Sequence, residues 1–100
     1  MNGAELIAAE RVRQIKDEHF DSAHDDRHWD AELAEAAMAY LHEGIARQGD
    51  WVIWPKTEAG YPPDHWPWEE EAWKPSADPI RNLVKAGALI VAEIDRLLRK

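Results

Sequence analysis

A short segment between two helical stretches carries a dense set of chemically active side chains. Phe20 to Trp29 reads FDSAHDDRHW and holds two histidines and three acids. Four of these residues could ligate a divalent metal or exchange protons near neutral pH: His24, Asp25, Asp26 and His28. In the simpler interpretation Asp25 or Asp26 closes a turn and Asp30 caps the next helix, which leaves most of the set unexplained. Both interpretations stay open.

Acids on the predicted helices extend this set. Glu32 and Glu35 are three residues apart, so they lie on one face of the second helix, directly after the segment. Glu93 and Asp95 lie on the third helix. Oxygen ligands from facing helices suit Mg²⁺ or Mn²⁺, which hold polyphosphates and activate water. We predict that such a metal site is formed by Asp25, Asp26, Glu32, Glu35 and Glu93. Glu32 and Glu35 are also predicted to be catalytic. In the alternative, Glu35 and Asp95 are solvated surface charges.

One lysine lies within an apolar stretch of the third helix. Residues 83–92 are apolar except for Lys85, and a helix that is apolar on all sides is expected to be buried on all sides. A buried lysine needs a carboxylate partner, for which Glu93 or Glu32 is the natural choice, or it faces the phosphate of a ligand. In a third interpretation Lys85 reaches water past its small neighbours.

The segment from Asp50 to Ala77 is rich in tryptophan and proline. It holds five of the six tryptophans and five of the six prolines, so it is predicted to be a long loop. Tryptophans of such a loop can seal a helical core or stack on a base. We expect most of the five to seal the core. The ligand-binding residues are predicted to be Arg13, His24, His28, Trp66, Trp68, Arg81 and Lys85.

Three helices are predicted to position these residues. Apolar residues recur at helical spacing from Ala4 to about Glu18 and from Asp30 to near Gly49. Asp78 and Pro79 together predict the start of a third helix that runs to about Arg99. No strand pattern competes. The sequence therefore predicts an all-α fold, a single domain over residues 1–100, with a small three-helix bundle and a long Trp/Pro-rich loop between helices 2 and 3.

Length and charge limit the possible functions. A chain of 100 residues often completes its site with a second copy, so we expect a homo-oligomer, with residues 86–90 of the third helix at its interface. The absence of cysteine excludes disulfides and thiolate metal sites. The lack of a signal peptide or a long apolar run predicts a cytoplasmic protein with no membrane partner. The net charge of −8 opposes direct nucleic-acid binding, but it permits a nucleotide, because a bound divalent cation reverses the local charge.

Several strings of the sequence resemble a group of small phage and prophage proteins. They cover most of the chain: ERVRQ at 10–14, HDDRH at 24–28, ELAEAA at 32–37, WPW at 66–68, WKP at 73–75 and RNLVKAGALIVAEIDRL at 81–97. The resemblance implies an accessory protein of a phage or prophage that acts in the host cytoplasm. It implies no particular chemistry.

The acids are also similar to those of a second family. The ELAE pattern of Glu32 to Glu35, with acids on a later helix, is distantly similar to the all-α nucleotide pyrophosphohydrolases of the MazG type. The resemblance implies a helical oligomer in which acid pairs bind magnesium and a nucleoside triphosphate is cut to its monophosphate and pyrophosphate. Lys85 would correspond to a phosphate-binding residue of the family. Glu93 and Asp95 depart from the family's tightly spaced acid pair, since they are two residues apart.

Three functions therefore stay open. The first is a magnesium-dependent nucleotide pyrophosphohydrolase. The second is a non-catalytic nucleotide binder, such as a phage sponge that sequesters a nucleotide signal of host defence, which needs cations and stacked tryptophans but no metal. The third is an acidic protein that inhibits a host defence system by charge mimicry, although lysines and arginines are interspersed among its acids. Magnesium dependence separates the first function from the second.

Overall fold

The described part of the chain is helical. A computed structural model describes residues 1–18, 23, 31–49, 51–52, 57 and 61–100. Its main elements are α1 (Gly3–Asp17), α2 (Glu32–Ala46), a short 3₁₀ helix (Glu70–Ala72) and α3 (Pro79–Leu98). No strand occurs in these ranges, so the all-α prediction is confirmed. None of the helices found in them has the length and apolar character needed to span a membrane.

Local side-chain chemistry fixes where α1 and α3 begin. At α1, the Asn2 side chain accepts a hydrogen bond from the Glu5 backbone N–H at 2.9 Å, and the Glu5 carboxylate accepts one from the Asn2 N–H at 3.1 Å. This reciprocal pair satisfies two backbone donors that a helix start leaves open. At α3, Asp78 accepts from the Ile80 N–H at 2.9 Å and Pro79 occupies the first helical position. The predicted start of α3 is therefore confirmed.

The start of α2 relies on charge. Ala31 precedes the helix in a left-handed conformation, with φ 68°, and its side chain forms no capping hydrogen bond. Glu32 and Glu35 lie in the first turn, where carboxylates interact favourably with the positive end of the helix dipole. Asp30, the predicted cap, lies outside the described residues. The two predicted catalytic glutamates thus already have a structural reason to be where they are.

Glycines allow α3 to pack closely against both other helices. A Cβ atom on Gly44 of α2 would lie 2.7 Å from Leu83 Cγ and 3.4 Å from the Leu83 backbone nitrogen. A Cβ on Gly87 of α3 would lie 2.9 Å from Cγ1 of Ile7 on α1. The distances of 2.7 Å and 2.9 Å are too short for a Cβ atom, so glycine at these two positions lets the helices approach.

The core lies between α2, α3 and the aromatic segment 61–77. Trp73 is 5% exposed, and its ring centroid lies 4.7 Å from that of Tyr40 and 4.9 Å from that of Trp66. Trp66 and Trp73 therefore seal the core, as predicted for most of the tryptophans. Trp68 packs against them and is partly buried. Trp51 is 77% exposed, and Trp54 lies outside the described residues.

Two fully buried polar side chains are satisfied by the backbone beside them. Asn82 accepts from the Ser76 N–H at 2.8 Å and donates to the Ser76 carbonyl at 2.8 Å, which fixes the approach to α3. Glu43 accepts from Arg47 Nε at 2.7 Å and from the Thr57 N–H at 2.9 Å. Because their hydrogen bonds are complete, both residues have a structural role.

Within one chain the third helix is not buried on all sides, so its predicted burial on all sides requires a second copy and stays a prediction. The neighbours of α3 cover one side of it only. Ala86, Ala88 and Leu89, which belong to the predicted subunit interface, are buried inside the chain itself. The remaining face is apolar yet 37–60% exposed, and we call it the outer stripe: Ile80, Leu83, Ile90, Ile94 and Leu97. Leu83 lies at its edge, where it contacts Gly44 of α2.

Candidate functional site

A cavity of about 350 Å³ lies between α1, α3 and the aromatic segment. Its volume falls at the lower end of the range for small-molecule sites. We call it the α1–α3 cavity. Its lining combines the rings of Tyr40, Trp66 and Trp68 with charged side chains from both helices. Such a mixture of rings and charges is typical of a site for a polar aromatic molecule.

A buried carboxylate joins α1 to α3 at the cavity wall. Glu10 is 2% exposed. Its Oε1 accepts from Arg13 Nε at 2.7 Å and from Arg81 Nη2 at 2.6 Å, and its Oε2 accepts from Arg13 Nη2 at 2.8 Å. Burial raises the pKa of Glu10, but the hydrogen bonds and charges of Arg13 and Arg81 outweigh it and hold the pKa below its ordinary value. Glu10 is therefore an anion at neutral pH.

Cations and acids are balanced in the lining of the cavity, although the protein as a whole is acidic. Arg13, Lys74 and Lys85 line it together with Glu10, Asp17 and Glu18. Arg81, bonded to Glu10, adds a fourth cation to these three acids. The hydrogen bond with Glu10 is the main reason why the pKa of Arg13 is raised, so Arg13 keeps its charge. An anionic group of a ligand would thus meet less repulsion here than the net charge of −8 implies for the protein as a whole.

Lys85 lies in the cavity wall without a carboxylate partner in the described ranges. Its Nζ donates to the Lys74 carbonyl at 2.7 Å and lies 5.4 Å from the ring centroid of Tyr40. Burial, followed by the charge of Arg81, lowers the pKa of Lys85. The predicted pairing with Glu93 was wrong. Eight residues along a helix separate the two by roughly 12 Å, and Glu93 accepts from Arg96 Nε at 2.6 Å instead.

The structure brings together part of the predicted ligand site. Arg13, Trp66, Trp68 and Lys85 all line the α1–α3 cavity, and Arg81 reaches it through Glu10. His24 and His28 lie outside the described residues. The predicted acids Glu32, Glu35 and Glu93 do not line the cavity.

The predicted Mg²⁺ or Mn²⁺ site stays a prediction. Where the structure describes the chain, no three histidine, aspartate or glutamate side chains cluster as they would around a metal ion. Asp25 and Asp26, two of the five predicted ligands, lie outside the described residues. Of the other three, Glu93 is held by Arg96.

Sequence reasoning missed two polar residues of the cavity, although a signal for them was present. Glu10 and Gln14 are each 2% exposed, and they follow Ile7 along α1 at helical spacing. Charged and amide side chains at positions where a helix buries its face are uncommon, and they need partners. The two polar residues within the apolar helical pattern of α1 could therefore have indicated a buried polar network.

Comparison with models of known families, with curated proteins and with solved structures gives no match for this chain.

Proposed function

We propose that the α1–α3 cavity binds a nucleotide or a nucleotide-like small molecule. The observation that carries the proposal is the convergence of the rings of Tyr40, Trp66 and Trp68 with the cations Arg13 and Lys85 around one cavity. Aromatic rings stack on nucleobases, and lysine and arginine bind phosphate. Neither stacking on a base nor binding of phosphate by these side chains requires a metal ion.

The contacts of Lys85 suit a phosphate ligand. An ammonium group has three donors, and the described contacts of Lys85 use one of them, on the Lys74 carbonyl. Burial first and the charge of Arg81 second disfavour the charged form of Lys85, so the pKa of Lys85 is lowered. A phosphate within reach would favour the charged form and use the remaining donors.

Replacing Lys85 with methionine is expected to weaken nucleotide binding about tenfold to a hundredfold, since a hydrogen bond to a charged group contributes about 1.5–3 kcal/mol. Isothermal titration calorimetry with ATP, GTP, CTP and UTP, and with their monophosphates, in EDTA measures the effect. Lys16→Met is the matched control, because it removes the same charge from an exposed position on α1.

Two outcomes would contradict this proposal. One is wild-type protein that binds none of these nucleotides, and the other is a Lys85→Met variant that binds them as wild type does. Thermal unfolding of both variants shows that any loss of binding is not a loss of fold.

Hydrolysis is a second proposal at the same protein. Glu32 and Glu35 both lie in the first turn of α2, outside the lining of the α1–α3 cavity, so this proposal rests on the similarity of their pattern to the MazG-type pyrophosphohydrolases. Release of pyrophosphate from a nucleoside triphosphate that depends on added Mg²⁺ or Mn²⁺ would support a pyrophosphohydrolase. Binding without turnover in the presence of either ion would instead support a nucleotide sponge. A phage protein of that kind would act against host defence by sequestering a nucleotide signal.

We propose that the outer stripe of α3 forms a contact with a second copy of the chain. Its residues are spaced alternately by three and four once Gly87 is included, which is the pattern by which paired helices mesh. Apolar residues on one exposed face can be covered by the same face of a second molecule related by a two-fold axis. Ile7 extends this apolar surface where it lies against Gly87.

Light scattering in the micromolar range is expected to give a mass of at least twice 11.5 kDa. Ile94→Glu, at an outer-stripe residue that is 50% exposed, should return the protein to a monomer. Val12→Glu, at a similarly exposed apolar position on α1, should not. A mass of 11.5 kDa for the wild type would show that the stripe is not a contact between copies.

A further inference from the structure

Gln14 presents an unused hydrogen-bond acceptor to the α1–α3 cavity. Its side chain is 2% exposed and lines the cavity. Its Nε2 donates to Glu10 Oε2 at 3.4 Å, while its Oε1 has no hydrogen-bond partner among the described residues. A buried acceptor without a partner costs about 1–3 kcal/mol of stability, so a residue of this kind calls for an explanation.

The charges around Glu10 fix which end of the Gln14 amide is left open. Glu10 is held as an anion by Arg13 and Arg81, so it can only accept hydrogen bonds. Gln14 must therefore turn its NH₂ group toward Glu10, because the reversed amide would set its oxygen against the carboxylate. The oxygen is the end that remains available to a ligand.

We infer that Gln14 Oε1 accepts a hydrogen bond from an exocyclic amino group of a bound nucleobase. The inference rests on the proposed nucleotide binding and names a specificity-determining residue for it. Lys85 contacts the phosphate, beside Arg13, whose Nε and Nη2 bond Glu10. The partly buried ring of Trp68 stacks on the base, and Gln14 contacts the edge of the base. Stacking alone distinguishes bases poorly, whereas a buried acceptor favours a base that supplies the missing donor.

Nucleotide pairs that differ only by the amino group test this role. AMP is compared with purine riboside monophosphate, and GMP with inosine monophosphate, by calorimetry on the wild-type protein. We expect the nucleotide with the amino group to bind about fivefold to a hundredfold more tightly than its partner in at least one pair, since the amino group satisfies a buried acceptor that otherwise has no partner. Equal affinities within both pairs would overturn the inference without any variant.

Gln14→Met links the preference to this residue. It keeps the length of the side chain and removes the amide, so the ratio of the two affinities within each pair should fall to about one. Gln48→Met, at an exposed position after α2, is the matched control and should retain the preference. A preference that survives in Gln14→Met would show that another group reads the amine.

The failures of the two proposals can be told apart. Equal binding within both pairs, together with weaker binding of all four nucleotides by Lys85→Met, would leave the nucleotide site and overturn the role of Gln14. No binding of any of the four nucleotides by the wild type would overturn the nucleotide site, and the role of Gln14 with it.

Discussion

Replacing Trp73 with alanine is expected to lower the free energy of unfolding by about 3–5 kcal/mol, as large deletions in a core do. Trp73 is 5% exposed, and its ring contacts those of Tyr40 and Trp66. Its removal leaves a void between α2, α3 and the aromatic segment that these rigid neighbours cannot fill. Total stabilities of small domains are about 5–15 kcal/mol, so the variant should be close to unfolding.

Urea denaturation followed by circular dichroism measures this loss. Trp51→Ala is the matched control: the same substitution at a side chain that is 77% exposed should change the free energy of unfolding by less than about 0.5 kcal/mol. Equal losses in the two variants would contradict the placement of Trp73 at the centre of the aromatic cluster.

Glu10→Gln is expected to destabilise the protein by about 2–3 kcal/mol at neutral pH. Removing one member of a buried ion pair costs about 3–5 kcal/mol, because the remaining charge is stranded. Here the side chains of Arg13 and Arg81 are 33% and 37% exposed, so water screens part of the loss. Glu71→Gln, at an exposed position, controls for the loss of a negative charge.

The effect of Glu10→Gln should depend on pH in a defined direction. The pKa of Glu10 is lower in the folded protein than its ordinary value of 4.5, so below that value the unfolded state binds more protons. The stabilisation by Glu10 is therefore fully present above about pH 4.5 and is lost as the pH falls through the folded pKa. The difference in stability between wild type and variant should shrink accordingly, and a difference that stays constant from pH 7 to pH 3 would refute the ionic role of Glu10.

Structural features that depend on residues close together in the sequence could be predicted. Asp78 and Pro79 set the start of α3 through one side-chain hydrogen bond and one fixed backbone angle, and both are local. The helical repeat of apolar residues gave α1 and α2 within a few residues of their bounds. The prediction that most of the tryptophans seal the core followed from the size of their rings, which few other environments can bury. Trp73 fits it, and Trp66, which was predicted to bind a ligand, is buried in the core as well.

Features that depend on distant partners could not be predicted in the same way. Glu10 and Arg81 are separated by 71 residues in sequence, and no neighbouring residue of either one indicates the other as its partner. For Lys85 the sequence left three interpretations open: a carboxylate partner (Glu93 or Glu32), a ligand phosphate, or water. It donates to the backbone carbonyl of Lys74, and a carbonyl cannot be identified as a partner from the sequence. The apolar pattern of α3 likewise predicts burial of both sides of the helix. It does not indicate which side is covered by the rest of the same chain.

The way α1 is attached has a consequence for motion. Among the described helices, α1 packs against α3, while α2 and α3 share the larger contact. Ile7 at Gly87 and Glu10 at Arg81 are the points that hold α1, and the second of these lies at the wall of the cavity. Local opening free energies are lowest where a segment has few buried contacts, so α1 is the part of the bundle that separates most readily. A molecule bound between α1 and α3 would hold the two helices together, so its dissociation constant and the free energy needed to separate α1 would be linked by mass action.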